Sequence, residues 1–493
     1  MTLIRTRATD GSSVEFIYDN PMSGSQKDVY WSPDKKYVVA FYKKTLSSNE
    51  RERIKKIIGE YYVGIFGDDT SKPPVKSVGS EYWKKVFCWP KKGLIVEHDG
   101  RTGIVVPAYD SCYQKKTDNF LLPKSFNQLP PEEKGDLLRF LVVCLHLARG
   151  VRRLHAPGLS HSDLSHNNCR IDPKSANACI IDCDSLVVPN WFPPVVDGTP
   201  GFIAPEVLAT SHLPVNDCNK KLPCKETDRH ALAVLIYSCL FHRHPLEGDK
   251  IHDADTDKND MLAMGERALW IENSKDKSNR RQSQNFDRED RKKLPWIDTT
   301  TLPYTILGPW LQILFERAFI EGLHHPGKRP SANDWEEALL ATIDIVLPCQ
   351  NDSCVKHWFV LSEISEKQKC PYCGTLFRGD VAVLDFYTAD GRPVAVNNKR
   401  LVVRDQLKLH QWHSQNGLVS NEKLKDEQKK KIGRFYRNNG KWTLVNKGLP
   451  GMKNITTGKD IPIGHDVELT DGLQLLLSSG TNGRLAKVRI VNN

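Results

Sequence analysis

At 493 residues the chain exceeds one ordinary core and suggests about three domains. It is 39% hydrophobic and 26% charged, as soluble globular proteins are, and no window reaches the roughly eighteen apolar residues of a membrane span. A net charge of +10 favours acidic partners, nucleotides among them, without indicating nucleic acid.

The N-terminus, Met1-Thr2-Leu3-Ile4-Arg5, lacks the apolar core of a signal peptide, so a cytoplasmic protein with no membrane contact is expected. Of thirteen cysteines, Cys144, Cys179 and Cys239 sit singly in apolar segments and read as small buried hydrophobes. Cys218 and Cys224 flank a polar loop and receive no role.

Residues 14 to 43 alternate as strands, with Val29-Tyr30-Trp31 and Tyr37 to Tyr42 on either side of a turn at Ser32-Pro33-Asp34. A helix is expected from Asn49 to Val63, capped by Ser48 or Asn49, with Ile54, Ile57, Ile58 and Tyr61 on one face. Strands follow at Gly93 to Glu97 and Gly103 to Val106. A long helix is expected from Pro131 to His155, where Leu137, Leu141, Cys144, Leu145 and Ala148 make an apolar stripe. Further helices are expected at Arg229 to Phe241 and Leu307 to Ala318, and this part of the chain closes near Trp335 to Val346. The basic stretch Lys275 to Lys293 reads as a solvated loop. Beyond Phe377 the pattern becomes short strands split by turns such as Ala389-Asp390-Gly391 and Asn438-Asn439-Gly440, an all-β sandwich.

Between the long helix and the next apolar segment lies His161-Ser162-Asp163-Leu164-Ser165-His166-Asn167-Asn168. It sets a carboxylate five residues before an amide, and Ile181-Asp182-Cys183-Asp184 follows. Phosphoryl transfer needs such a set: one carboxylate to orient a hydroxyl, and an amide oxygen and a second carboxylate to hold magnesium against ATP phosphates. Gly198-Thr199-Pro200-Gly201 and Ala204-Pro205-Glu206 come next. In order and spacing these segments resemble the catalytic lobe of the protein kinase superfamily, over residues 10 to 346.

The resemblance implies a two-lobed α+β domain, with a small lobe at about 10–109 and a large lobe at about 110–346. It makes Asp163 the catalytic aspartate and Asn168 and Asp182 the magnesium ligands, with Asp184 as a second or alternative ligand. Thr199 would contact Asp163, Glu206 would pair with Arg329, and Asp228 would anchor the catalytic loop. Ser162 and Ser165 depart from the family pattern, replacing an arginine and a lysine. In the small lobe Gly24 is the one retained phosphate-loop glycine, and Lys27 adds charge there. The ATP lysine is read as Lys43, paired with Glu60 or, second, Glu52. Lys44, or a register that puts Ala40 at that place, stays open. Val106 and Ala108 would line the adenine site.

Cys349-x4-Cys354 and Cys370-Pro371-Tyr372-Cys373 are paired knuckles suited to one structural zinc, residues 347–377, with His357 as a substitute ligand. Residues 378–493 weakly resemble the forkhead-associated sandwich through Leu409 to His413, Gly433-Arg434 and Asp471-Gly472, without the usual Ser-Arg phosphate reader. The combination resembles bacterial kinases that work beside a von Willebrand A-type protein and a PP2C-type phosphatase in tellurite-resistance-like stress systems. The implied activity is an ATP- and magnesium-dependent Ser/Thr protein kinase acting on a protein substrate. The alternative is a pseudokinase scaffold.

Overall fold

The computed structural model describes residues 2–67, 79–113, 115–189, 198–281, 295–362, 367–389, 394–480 and 482–491. Most of the basic stretch 275–293 and part of the turn at 389–391 lie outside them. The chain mixes helix and sheet and divides into two compact units. One comprises Met1–Lys134, Val142–Thr299 and Leu314–Glu336; the other comprises Gly135–Leu141, Thr300–Ile313 and Glu337–Asn493.

In the first unit β1 (Leu3–Arg7) and β2 (Ser13–Ile17) form an antiparallel hairpin. A five-stranded antiparallel sheet follows from β3 (Met22–Ser23), β4 (Lys27–Trp31), β5 (Tyr37–Tyr42), β6 (Ile95–His98) and β7 (Arg101–Pro107), in the order β3-β4-β5-β7-β6. The β-branched and aromatic run of β5 suits a strand covered on both faces. Val39 and Phe41 pack with Phe16, Tyr30, Val96 and Val105, while Ala40 and Tyr42 pack with Ile54, Ile58, Ile95 and Ile104. Side chains alternate along a strand, so Ala40 and Tyr42 share the face turned to the following helix.

The turn between β4 and β5 sets their register. Ser32 donates its hydroxyl to Asp34 at 2.8 Å and accepts from the Tyr37 N–H at 3.1 Å. Trp31 then lies opposite Val38 and, at the far end, Lys27 opposite Tyr42. Helix α1 (Ser48–Lys56) starts from Ser47, not Ser48 or Asn49. Ser47 accepts from the Glu50 N–H while Glu50 accepts from the Ser47 N–H, a reciprocal cap. Past α1 the chain loosens into a π turn, Ile57–Tyr61, before Tyr62–Phe66.

The helix expected from Pro131 begins only at Leu137 and runs to His155. Pro131–Glu133 is a 3-10 turn and Gly135 has φ +67°, so the helix is instead capped by Asp136, which accepts from the Arg139 N–H at 2.8 Å. The hairpin β8 (Cys169–Asp172) and β9 (Asn177–Ile180) follows. The helix Lys225–Phe241 buries most of its residues, which explains its weak amphipathic signal.

In the second unit β10 (Val346–Pro348) pairs with β11 (Trp358–Val360). Ten more strands make two antiparallel sheets: β12 (Val381–Thr388), β13 (Ala395–Val402), β14 (Lys408–His410), β15 (Lys431–Asn438), β16 (Lys441–Asn446), β17 (Lys453–Asn454), β18 (Lys459–Asp460), β19 (Asp466–Glu468), β20 (Gln474–Leu476) and β21 (Arg484–Val491). One sheet runs β13-β12-β21-β20-β17-β18 and the other β14-β15-β16-β19. Leu384, Phe386, Leu475 and Val488 of the first share a buried cluster with Leu409, Phe435, Trp442 and Leu444 of the second. Inward residues of two sheets making one core is what alternating strands of this length require.

Candidate functional site

The segment 161–168 links the helix Leu137–His155 to β8, and buried hydrogen bonds shape it. Asp228, from the helix Lys225–Phe241, accepts from the His161 N–H at 2.8 Å and lies 3.0 Å from His155 Nε2. His161 itself is fully buried, with Nε2 2.9 Å from the Ile181 carbonyl. Asp163 Oδ2 accepts from Asn168 Nδ2 at 2.8 Å, and its Oδ1 accepts from the Thr199 hydroxyl at 2.9 Å. Asn168 reaches the other acids through its backbone, whose carbonyl accepts from Ile181 N–H at 2.9 Å. Ser165 has a buried hydroxyl 2.9 Å from Thr199 Oγ1, a neutral link.

Asp182 and Asp184 converge on one cation, Lys27 of β4. Its ammonium lies 2.5 Å from Asp182 Oδ1 and 2.9 and 2.7 Å from the two oxygens of Asp184. Burial pulls the Lys27 pKa down, but the two carboxylates outweigh it and leave the value raised. Burial likewise opposes ionisation of Asp182, and Lys27 more than offsets it, so its pKa ends below the usual carboxylate range. Asp184 is almost wholly buried, whereas Asp182 keeps a third of its side chain accessible. Tyr42 donates its hydroxyl to Asp184 at 2.5 Å, and its pKa is pushed well up by burial first and by Asp184 second. Asp182 has φ +61°, a backbone turn that aims consecutive side chains apart.

Lys43 goes elsewhere. One residue past β5, its ammonium contacts Ser23 Oγ at 2.7 Å and the Gly24 carbonyl at 2.6 Å, on the outside of the β3–β4 turn. Glu60 is exposed in the π turn, 3.7 Å from Lys56, and Glu52 pairs with Lys55 at 2.6 Å, so neither meets Lys43. Strand parity is the reason: Ala40 and Tyr42 face inward, and Lys43 does not. Lys44 is exposed. The buried face of α1 carries Arg53 and Ile54 in place of an acid. Gly24 keeps its place in the turn, its N–H donating to the Lys27 carbonyl at 2.9 Å. Val106 packs partly against both the Ala40–Tyr42 cluster and the Cys88–Cys179 cluster, while the Ala108 N–H is engaged by the Lys36 carbonyl at 3.0 Å.

Two ion pairs brace the surrounding helices. Arg329 grips Glu206 through two parallel bonds of 2.8 and 2.7 Å, and Arg149 and Arg152 share Glu336 at 2.8 and 2.6 Å.

In the second unit Cys349, Cys354, Cys370 and Cys373 bring their sulfurs within 4.8 Å of one another. Tetrahedral zinc with Zn–S near 2.3 Å sets sulfurs about 3.8 Å apart. The Cys349–Cys373 and Cys354–Cys370 separations are 3.5 and 3.8 Å. Backbone N–H groups of Asn351, Lys356, His357, Tyr372 and Thr375 point at these sulfurs, stabilising thiolates. The donor set fits one structural zinc, and the His357 ring is not in it.

No protein-family model matches the chain, and no curated protein does. Among solved structures the chain is similar to the kinase domain of a Toxoplasma gondii specific rhoptry antigen. That match has 13% identity and a TM-score of 0.38, and covers 68% of this chain and 85% of the other.

Proposed function

We propose that the first unit is a two-lobed protein-kinase-like domain and that the chain is an ATP- and magnesium-dependent Ser/Thr protein kinase. The observation that carries the reading is the junction at Asn168. Its amide holds Asp163 at 2.8 Å, and its carbonyl holds Ile181, next to Asp182, at 2.9 Å. A base and a cation-binding acid are thereby tied to one short loop, which in-line phosphoryl transfer requires. The sheet order β3-β4-β5-β7-β6 supports the same reading, since it is the order of a kinase small lobe.

Asp163 would take the proton of the acceptor hydroxyl. That oxygen bonds the γ-phosphorus as the bond to the β,γ-bridging oxygen breaks, and ADP leaves with the electron pair. Asn168 and Asp182 would hold magnesium, which neutralises charge on the phosphates. Thr199, hydrogen-bonded to Asp163, would orient the base for a hydroxyl acceptor.

The rest of the chain fits a signalling protein. Zinc would brace residues 347–377, and residues 378–493 would form a protein-interaction sandwich. A bacterial, cytoplasmic stress module with a von Willebrand A-type protein and a PP2C-type phosphatase as partners is part of the same proposal. One observation favours a pseudokinase scaffold: the Lys27 ammonium already sits between Asp182 and Asp184, where a divalent cation would have to compete. The deciding experiment is magnesium-dependent autophosphorylation of the purified chain beside Asp163→Ala. The kinase reading expects incorporation in the first and near-complete loss in the second; equal incorporation removes the enzyme.

A further inference from the structure

We infer that Lys27, reaching from β4 across to the face of β5 occupied by Tyr42, is the side chain that carries positive charge to the nucleotide phosphates. The inference rests on the nucleotide reading of this site and says which cation serves it.

On the inward face of β5, Tyr42 places its hydroxyl on Asp184. Lys27 is the cross-strand partner of Tyr42, and its ammonium passes 5.6 Å from the Tyr42 ring centre to reach both acids. The Lys27 side chain is only 13% exposed. A lysine is held in so enclosed a place only when its charge is met, and here the two carboxylates meet it unequally. Asp184, 4% exposed, is an anchor. Asp182, 32% exposed, is the open one and remains free to exchange its partner.

An ammonium has three N–H donors. If a divalent cation takes Asp182, Lys27 keeps Asp184 and can turn the released donor to a phosphate oxygen. In this arrangement Asp184 does the work of an acidic residue on the neighbouring helix.

Helix α1 agrees with that assignment. Its inward charged residue is Arg53, 6% exposed, whose Nε has no hydrogen-bond partner among the described residues. A cation there would repel an ammonium rooted on β5 and adds positive potential suited to an anion. Lys43, bound to Ser23 and Gly24 on the outer side of the turn, is directed away from both acids.

The test compares phosphate incorporation from labelled MgATP by the full chain, Lys27→Met and Lys43→Met. Removing one preorganised charge at a transferring phosphoryl group costs on the order of a hundredfold in turnover. That loss is expected for Lys27→Met, with Lys43→Met close to the unsubstituted chain. Full activity in Lys27→Met, or the loss falling on Lys43→Met, overturns the assignment and leaves the kinase reading standing.

A second measurement needs no variant to fold. An ATP acyl phosphate transfers its acyl group to an amine lying against the phosphates, and peptide mapping of the unsubstituted chain should find it on Lys27. Acylation of Lys43 in its place overturns the inference. Neither labelling nor incorporation by the unsubstituted chain would remove the nucleotide reading, and the inference with it.

Discussion

Replacing Glu206 by Gln should unfold the first unit several degrees earlier, and the structure supplies the size of the effect. The guanidinium of Arg329 is 1% exposed and spends all five N–H donors. Two go to Glu206, and the others go to the carbonyls of Gly322, Glu226 and Leu323 at 2.8, 2.9 and 3.0 Å. Arginine cannot shed its proton, so removing the carboxylate charge leaves a buried cation held by neutral oxygens alone. Breaking one side of a buried pair costs about 3–5 kcal/mol, and the three carbonyls favour the lower end. At about 2 °C per kcal/mol for a body this large, the thermal midpoint should fall by about 6 °C. The comparison is Glu15→Gln. Glu15 meets Arg5 at the same 2.7 Å, but with side chains 36% and 73% exposed. A pair so exposed is worth less than about 1 kcal/mol. Both variants would be melted beside the unsubstituted chain, followed by near-ultraviolet circular dichroism. Equal shifts for the two would refute the claim that burial, and not distance, sets the strength of these pairs.

Acid should weaken the first unit through His146. Its pKa is lowered to about 4 by burial and, secondly, by Arg149, while its Nδ1 sits 2.7 Å from the Tyr82 hydroxyl. Because the folded value lies below the unfolded one, near 6.5, the neutral ring's contribution is complete above pH 6.5 and is lost as pH falls towards 4, about 3 kcal/mol in all. Melting curves across that range should be steeper for the unsubstituted chain than for His146→Gln; parallel curves would dismiss the histidine. In the second unit, elemental analysis should find about one zinc per chain. A strong chelator should lower the melting of that unit, and Cys354→Ser should abolish the response. A chelator without effect on a zinc-free chain would leave the four thiols as structural bystanders.

Much of the fold was legible because its periodicity survives burial on one side. The expected short strands beyond Phe377 include 431–436, 442–445 and 486–490 inside the observed β15, β16 and β21, where buried residues largely alternate with more exposed ones. They also include 381–387 inside β12, where a continuous apolar run, Val381 to Leu384, is buried. Strand β1 carried no such signal: Leu3-Ile4-Arg5-Thr6-Arg7 stays half-exposed throughout, and β2 brings the buried Val14 and Phe16 to the pair. The Ser47 cap was in plain view as Ser-x-x-Glu but lay one residue before the residues chosen. Helix starts near Pro131 and Gly135 were misplaced because an apolar stripe says where a helix packs, not where its backbone permits it to begin.

The cation between Asp182 and Asp184 shows the limit of reading along one strand. Asp163 lies close to Asn168 in the chain, and Asp182 to Asp184, so each pair meets locally, and the β8–β9 hairpin brings the two segments side by side. The partner of the two acids is 155 residues away from Asp182 and on a different strand from the one inspected. Parity along β5 was enough to exclude Lys43, because Ala40 and Tyr42 must share a face. Locating Lys27 takes one further step, across the hairpin. The Ser32 turn fixes Trp31 against Val38, and counting outward from it puts Lys27 opposite Tyr42. What the acids require is a positive charge at a point in space, and either strand of a hairpin can deliver it. A reading that carries turn register across to the partner strand finds that charge; a reading confined to one strand stops at Lys43 and Lys44.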